Sequence, residues 1–173
     1  MHRPARIWFV TLLILPAALA FSTGTVDISA SDTSPVIFTI GQSDVVGGAG
    51  GDVPAWFETP TDERSFDIDA TWINIFGGFW IPENWHVDVS RVDTNWHADL
   101  HLYIRRTGAG TGATLTGGTA YQEIYDYDAL FFSGAGGDCF GIPVQFRISG
   151  SFAANGIPAD LYTTTVYYTV TGD

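Results

Sequence analysis

Two histidines and an aspartate with metal-binding chemistry lie close together near the middle of the chain. His97, Asp99 and His101 alternate with apolar residues, so on a strand all three would project from one face. Imidazole and carboxylate groups suit Zn²⁺ or another divalent transition metal, and His86 could join them from a neighbouring strand. Four positions along a strand span about 13 Å, which is too far for one ion to bridge both histidines. We therefore predict a polar outer face, with no tightly bound metal and no cofactor.

Two glycine-rich stretches end in aspartate, Gly47–Asp52 (GGAGGD) and Gly134–Asp138 (GAGGD). The first fits the GGxGxD pattern of calcium-binding β-rolls, in which glycines permit tight turns and oxygen atoms bind the ion. Those rolls need tandem repeats, and here the two copies lie far apart in the chain. The interpretation we favour is a pair of flexible turns, and calcium binding at the first loop stays an alternative.

Five tryptophans follow the first twenty residues, and aromatic side chains on a β-face have three common uses. They fill a core, they form an assembly interface, or they stack on sugars. A core without disulfides needs large apolar side chains, so the core is the interpretation we favour. Assembly and glycan binding stay open for Trp56, Trp72, Trp80, Trp85 and Trp96.

No pattern of catalytic residues stands out. The chain has no GxSxG and no HExxH, and its many carboxylates make any single pair uninformative. Cys139, the only cysteine, has no histidine nearby in sequence. We expect Cys139 to be a small buried residue in a glycine-rich turn, with pairing to another chain as the alternative. The sequence thus predicts a protein that is not an enzyme, and a secreted metal-dependent hydrolase ranks third among the functions considered.

The charge is strongly acidic. Nineteen Asp and Glu residues face seven basic residues, all of them arginine, for a formal net charge of −12. The only adjacent basic pair is Arg105 and Arg106, whereas phosphate binding needs a clustered basic surface. We therefore expect no nucleic-acid partner and no association with anionic lipid.

The first twenty residues have the pattern of a secretory signal peptide. A basic start is followed by an apolar run over Ile7–Leu15 and by small residues at Ala18 and Ala20. This order predicts a signal peptide over 1–20 that is cleaved before Phe21.

The remaining residues, 21–173, are long enough for one domain with a real core. No later segment has the length and apolarity of a membrane span. The expected location is therefore extracellular or at the cell surface.

The most regular pattern lies in Asn84–Arg106, which predicts a β-hairpin with a turn at Asp93–Asn95. Period-two alternation is typical of half-buried antiparallel strands. The predicted inward residues are Trp85, Val87 and Val89 on the first strand, and Ala98, Leu100, Leu102 and Ile104 on the second.

Similar patterns elsewhere predict further short strands. They cover Thr25–Ala30, Val36–Ile40, Ala55–Phe57, Ser65–Phe76, Pro143–Phe152 and Leu161–Thr171. Gly108–Gly118 is either a loose connection or an edge strand around Thr114–Thr116. Ala120–Phe132 could place aromatic residues on a helical stripe, but its composition favours extended structure. Many short strands separated by turn residues predict an all-β fold, a single antiparallel β-sandwich of immunoglobulin-like or pilin-like type.

The segment Ile157–Val170 (IPADLYTTTVYYTV) resembles the C-terminal signature of secreted pilin-type sandwiches, such as spore coat protein U-like proteins and archaic chaperone–usher pilins. In those families a turn with Pro or Gly is followed by a Tyr and an alternating Thr/Val strand. The segment also resembles a tyrosine corner. Those pilins usually carry a cysteine pair, and this chain has one cysteine. The overall pattern is also similar to TasA-like biofilm fibre proteins, without a shared motif.

The resemblance implies an extracellular structural subunit that assembles with its own kind, or with other surface proteins, into fibres by strand addition. The strand Thr25–Ala30 would complete a neighbour's sheet, with Val26, Ile28 and Ala30 as the assembly residues. The alternative is a glycan- or ligand-binding β-sandwich module that uses exposed tryptophans.

Overall fold

The computed structural model describes residues 25–40, 54–70, 73–76, 79–81, 84–150, 157–158 and 160–173. Every regular element among them is a β-strand, and every strand pairing is antiparallel. The predicted all-β antiparallel class is therefore confirmed. The predicted signal peptide and the loop Gly47–Asp52 lie outside the described residues.

The described residues contain eleven strands in two sheets, one of nine strands and one formed by β4 and β5. Their bounds are β1 Val26–Ala30, β2 Trp56–Glu58, β3 Arg64–Ala70, β4 Ile73–Phe76, β5 Phe79–Ile81, β6 Trp85–Asn95, β7 Leu100–Arg106, β8 Thr111–Gly117, β9 Gln122–Glu123, β10 Ala129–Gly150 and β11 Thr163–Gly172.

The strand β10 is the frame of the fold. It is 22 residues long, and it pairs with β6 and β8 in its first half, with β3 in its middle, and with β2 and β7 in its second half. Register shifts follow Ala135 and Cys139, where the strand bends. Gly136 and Gly137 have φ of 106° and 88°, which residues with a Cβ rarely adopt. The predicted turn Gly134–Asp138 is therefore wrong, because the segment lies within β10, whose ladder with β8 is interrupted at these glycines and resumes at Cys139.

The sheet curls until it is nearly barrel-shaped. Its main path runs β1-β3-β10-β6-β11, so β1 and β11 are its two ends. Cα atoms of these two strands approach within 8 Å of one another, yet the strands do not pair. We call this gap between β1 and β11 the seam.

The core lies inside the curled sheet and uses the predicted faces of β6 and β7, except that Ala98, predicted to be inward, is exposed in the turn between them. Trp85, Val87 and Val89 are completely buried, and so is Ile104 on β7. Alternate residues of β3 and of the second half of β10 are buried as well, namely Phe66, Ile68, Ala70, Val144, Phe146 and Ile148.

The predicted hairpin of Asn84–Arg106 is wrong, although both of its strands exist. β6 lies between β10 and β11, whereas β7 lies between β10 and β9. β6 continues through the predicted turn because β11 pairs with Asp93 and Asn95. The chain turns only after Asn95, and it then enters a different part of the sheet. Alternation reports which face of a strand is buried, but it does not report the neighbour.

Three weaker predictions also have clear outcomes. The segment Val36–Ile40 is not a strand: Val36 and Phe38 pack on the core, but no ladder partner is present among the described residues. Gly108–Gly118 contains the edge strand β8, and Ala120–Phe132 is not helical. The tyrosine corner is present in its essential contact, since Tyr162 Oη donates a hydrogen bond to Pro158 O at 2.8 Å.

Candidate functional site

The two ends of the main path are open strand edges. Within the described residues, β1 pairs only with β3, in a register that runs from Val26 opposite Ala70 to Ala30 opposite Phe66. β11 pairs only with β6, along its whole length. Each strand therefore has one side of its backbone whose N–H and C=O groups pair with no described strand, although the two edges approach each other at the seam. Such an edge is a template for pairing with another chain.

β11 lacks the usual devices that protect an edge. Its sequence, TTTVYYTVTG, is ten residues long and contains no charged residue and no proline. Natural proteins shield edges with lysine, proline, bulges or short strands. The one irregularity of β11 lies at its start, between Thr163 and Thr164. The rest of the strand is a long, regular and uncharged edge.

The core is less completely covered at the seam than elsewhere. Val166 and Val170 of β11 are half-buried against the core, and so are Val26 and Ile28 of β1. On β6, one strand further in, the corresponding inward residues are fully buried. Of the three predicted assembly residues, Val26 and Ile28 thus contact the core, whereas Ala30 is exposed. Apolar side chains at the seam would bury more surface if another strand covered them.

Tyr168 crosses the seam from the inner face of β11. Its ring lies 4.5 Å from the ring of Phe66 on β3, centroid to centroid. Its Oη atom is buried and has no hydrogen-bond partner among the described residues. Burial raises the pKa of this phenol above its ordinary value. An unpaired buried hydroxyl destabilises the fold, so the Tyr168 hydroxyl lowers the stability of the fold at the seam.

The candidate metal-ligating residues are separated rather than brought together. His97 and Asp99 lie in the turn between β6 and β7, not on a strand, and the Asp99 amide donates to His97 Nδ1 at 3.2 Å. His101 lies on β7, where its Nδ1 is 2.6 Å from Glu123 Oε1. Each of these histidines thus contacts its own carboxylate residue.

His86 is also engaged elsewhere. Its Nδ1 lies 2.7 Å from Asp173 Oδ1, and its Nε2 lies 3.6 Å from Asp88 Oδ2. Because the two carboxylates contact opposite sides of the ring, they cannot join this histidine on one ion. The described part of the chain contains no group of three His, Cys, Asp or Glu residues able to hold a metal.

The tryptophans divide between core and surface. Trp85 is completely buried, and Trp96 is half-buried with its Nε1 donating to Leu100 O at 2.9 Å. Trp56 is 54% exposed, and the Arg147 guanidinium lies 5.5 Å from its ring. The side chains of Trp72 and Trp80 lie outside the described residues. The core interpretation therefore holds for two tryptophans, and Trp56 is a surface residue.

Cys139 lies on β10, not in the predicted turn. It is completely buried, and its Sγ is 3.4 Å from Ala109 O. Burial raises the pKa of the thiol, so the reactive thiolate is disfavoured. In the folded chain Cys139 is a core residue.

Comparisons of the chain with protein-family models, with curated proteins and with solved structures found no match. Among the described residues, no helix has the length and apolarity needed to cross a membrane. The open edges and the surface chemistry are therefore the basis for a functional proposal.

Proposed function

We propose that this protein is a secreted structural subunit, a pilin-like β-sandwich that assembles outside the cell by strand addition. The observation that carries the proposal is the edge of β11, ten uncharged residues that pair with β6 on one side and with no described strand on the other. Edges of this kind recruit strands unless something blocks them. A structural subunit that polymerises needs such an acceptor edge.

The donor in this proposal is the first strand of a neighbouring subunit. β1 has five residues, and only Val26 and Ile28 bury apolar surface against the core. Full burial of two such side chains contributes about 3–6 kcal/mol, and half-burial contributes about half of that. A typical domain is stable by about 5–15 kcal/mol, so β1 can leave its own sheet without unfolding the rest. In a neighbour, backbone hydrogen bonds would give affinity, and Val26 and Ile28 would fill pockets.

The extracellular location rests on the sequence. The basic start, the apolar run and the small residues before Phe21 support export. The resemblance of Ile157–Val170 to secreted pilin-type sandwiches supports the same compartment. The contact of Tyr162 with Pro158 agrees with that resemblance, because it ties the turn to the start of the last strand.

Electron microscopy and sedimentation of residues 21–173 at increasing concentration test the proposal. We expect fibres that form above a threshold concentration. The variant Thr165→Lys/Thr169→Lys places two charges on the open edge strand and should prevent fibres while leaving the fold intact. The control is Leu130→Lys, because Leu130 is 59% exposed and lies on β10, where it pairs with Asp88 of β6 rather than on the open edge of β11.

Two results would contradict the proposal. The first is wild-type protein that stays monomeric at every concentration tested. The second is loss of fibres in the Leu130→Lys control to the same extent as in the edge variant, which would indicate a general effect of added surface lysine rather than blocked strand pairing.

One observation favours glycan binding as a second candidate function. Trp56 exposes its ring beside Arg147 and Glu58, whose side chains form an ion pair. An exposed indole flanked by polar groups can stack on a sugar ring while its neighbours bind hydroxyls. Saturable quenching of tryptophan fluorescence by an oligosaccharide, lost in Trp56→Ala, would favour this function over assembly.

A further inference from the structure

A depression of about 560 Å³ lies where β7 ends, on a different part of the molecule from the seam. Arg105 and Arg106, the last two residues of β7, line it together with Thr107. The loop between β2 and β3 contributes Thr61 and Asp62, and the segment after β8 contributes Thr119. Two arginines and three threonines therefore line one recess, and of the two arginines Arg106 is the buried one.

These two arginines differ from the other described arginines. Arg64, Arg91 and Arg147 each have a carboxylate within hydrogen-bonding distance. Arg105 and Arg106 form no ion pair with any described residue. In a chain of formal net charge −12, the only adjacent pair of basic residues thus lacks an acidic partner.

Arg106 is held in place without being neutralised. It is 8% exposed, and its guanidinium donates to Gly117 O, to Gly108 O at 3.1 Å and to Leu115 O at 3.4 Å. These carbonyl oxygens satisfy part of its hydrogen-bonding capacity but carry no formal charge. A cation this deeply buried without a counter-charge is costly, and an anionic ligand would relieve that cost.

Arg105 is likewise fixed by neutral groups. Its Nε and Nη2 donate to Gln145 Oε1 at 3.0 and 2.8 Å, and its Cζ lies 4.6 Å from the centre of the Tyr121 ring. The side chain is therefore ordered before any ligand arrives, which lowers the entropic cost of binding.

The other lining groups indicate which functional groups the anion has besides its negative charge. The hydroxyls of Thr61 and Thr119 make no hydrogen bond to the described residues, and Asp62 makes no ion pair with them. A guanidinium binds a planar carboxylate well, while threonine hydroxyls and an acidic side chain bind alcohol groups. Asp62 disfavours a bare anion, and the negative net charge disfavours a dense polyanion.

We propose that this depression binds a hydroxylated carboxylic acid of the sugar-acid class, with the carboxylate at Arg105, the buried charge of Arg106 behind it, and the hydroxyls at Thr61, Thr119 and Asp62. The site does not include the open edges, so the ligand-binding proposal and the strand-addition proposal are tested separately.

Titration of residues 21–173 with D-glucuronate, followed by ¹H–¹⁵N NMR, tests the site. We expect saturable shifts centred on Thr61, Thr107 and Thr119, with weaker effects from acetate or glucose at equal ionic strength. Arg105→Gln should weaken binding about tenfold or more, since it removes a charged hydrogen-bond donor. Arg91→Gln is the control, because it also removes an arginine but lies outside the depression.

Thr119→Val provides a second test that keeps both arginines, and it should weaken glucuronate more than acetate. Equal binding of acetate and glucuronate would overturn the sugar-acid assignment. Shifts that do not saturate, or that are unchanged in Arg105→Gln and Thr119→Val, would overturn the site itself.

Discussion

Tyr167 and Tyr168 are consecutive residues of β11 with opposite environments, and they allow a matched test of the seam. Tyr167 is 51% exposed on the outer face. Tyr168 packs its ring on Phe66, and its buried Oη lacks a partner among the described residues. We predict that Tyr168→Phe stabilises the protein, whereas Tyr167→Phe has little effect.

The magnitude follows from the buried hydroxyl. An unsatisfied buried polar group costs about 1–3 kcal/mol, and Phe keeps the ring that contacts Phe66. Part of the gain is lost because the missing oxygen leaves a small void. We therefore expect Tyr168→Phe to raise the free energy of unfolding by about 1 kcal/mol. Tyr167→Phe should change it by less than about 0.5 kcal/mol, as is usual for exposed positions.

The difference between the two variants should depend on pH. Burial raises the pKa of Tyr168 above its ordinary value of 10.0, so with rising pH the unfolded state releases this proton first. The stabilisation that Tyr168 receives from staying neutral is complete below pH 10 and is lost as the pH rises towards the folded-state pKa. Tyr168→Phe removes this alkaline loss, and its advantage over wild type should grow above pH 10.

Urea unfolding followed by far-UV circular dichroism, at neutral pH and above pH 10, measures both effects. The reasoning is refuted if Tyr168→Phe lowers the free energy of unfolding by more than about 1 kcal/mol at neutral pH. That result would mean that the hydroxyl makes a favourable hydrogen bond in the native state.

Three further predictions concern two residues of β10 and the turn before β11. Gly134→Ala should destabilise by at least about 3 kcal/mol in urea unfolding, because a Cβ would lie 2.2 Å from Trp85 Cζ2; a loss below about 1 kcal/mol would contradict this packing. Cys139 should react with a disulfide reagent far more slowly in the folded protein than in urea, since it is buried with a raised pKa; equal rates would show that it is accessible. Tyr162→Phe should lower the urea concentration at the unfolding midpoint by losing the bond to Pro158, and an unchanged unfolding curve would contradict a stabilising role for this contact.

Burial along single strands could be predicted from the sequence, because it is a local property. The alternation in Trp85–Val89 and in Phe66–Ala70 marks the inward faces that the structure buries. Strand partners could not be predicted in the same way. Whether β6 pairs with β7 or with β11 depends on contacts between residues that lie far apart in sequence.

The glycine-rich composition led to the wrong secondary structure for one segment. Gly134–Asp138 has the composition of a loop, yet it is the bend of the longest strand. Gly134 is required because the Trp85 ring occupies the space of a side chain, and this contact joins residues about fifty positions apart. Val36–Ile40 shows the opposite error, since an apolar alternating segment packs on the core without joining a ladder.

The candidate sites were only partly visible in the sequence. Val26 and Ile28 can be identified as inward residues from their alternation. Their position at the seam depends on how the sheet curls, which the sequence does not show. Arg105 and Arg106 are visible in the sequence as the only adjacent pair of basic residues. Their lack of acidic partners is a property of the folded chain alone.

The most direct test of strand addition is to remove residues 21–30 and offer the same segment back as a labelled synthetic peptide. The deletion removes the donor strand β1 and leaves the open edge of β11 intact. It also frees the edge of β3 that pairs with Val26–Ala30, so peptide binding is measured with and without Thr165→Lys/Thr169→Lys to assign it to β11. We predict a folded monomer that forms no fibres and binds the peptide saturably, measured by fluorescence anisotropy. A peptide with Val26→Asp and Ile28→Asp should not bind. The account is contradicted if the deletion unfolds the domain and the full-length protein stays monomeric at all concentrations, because β1 is then only an intramolecular strand.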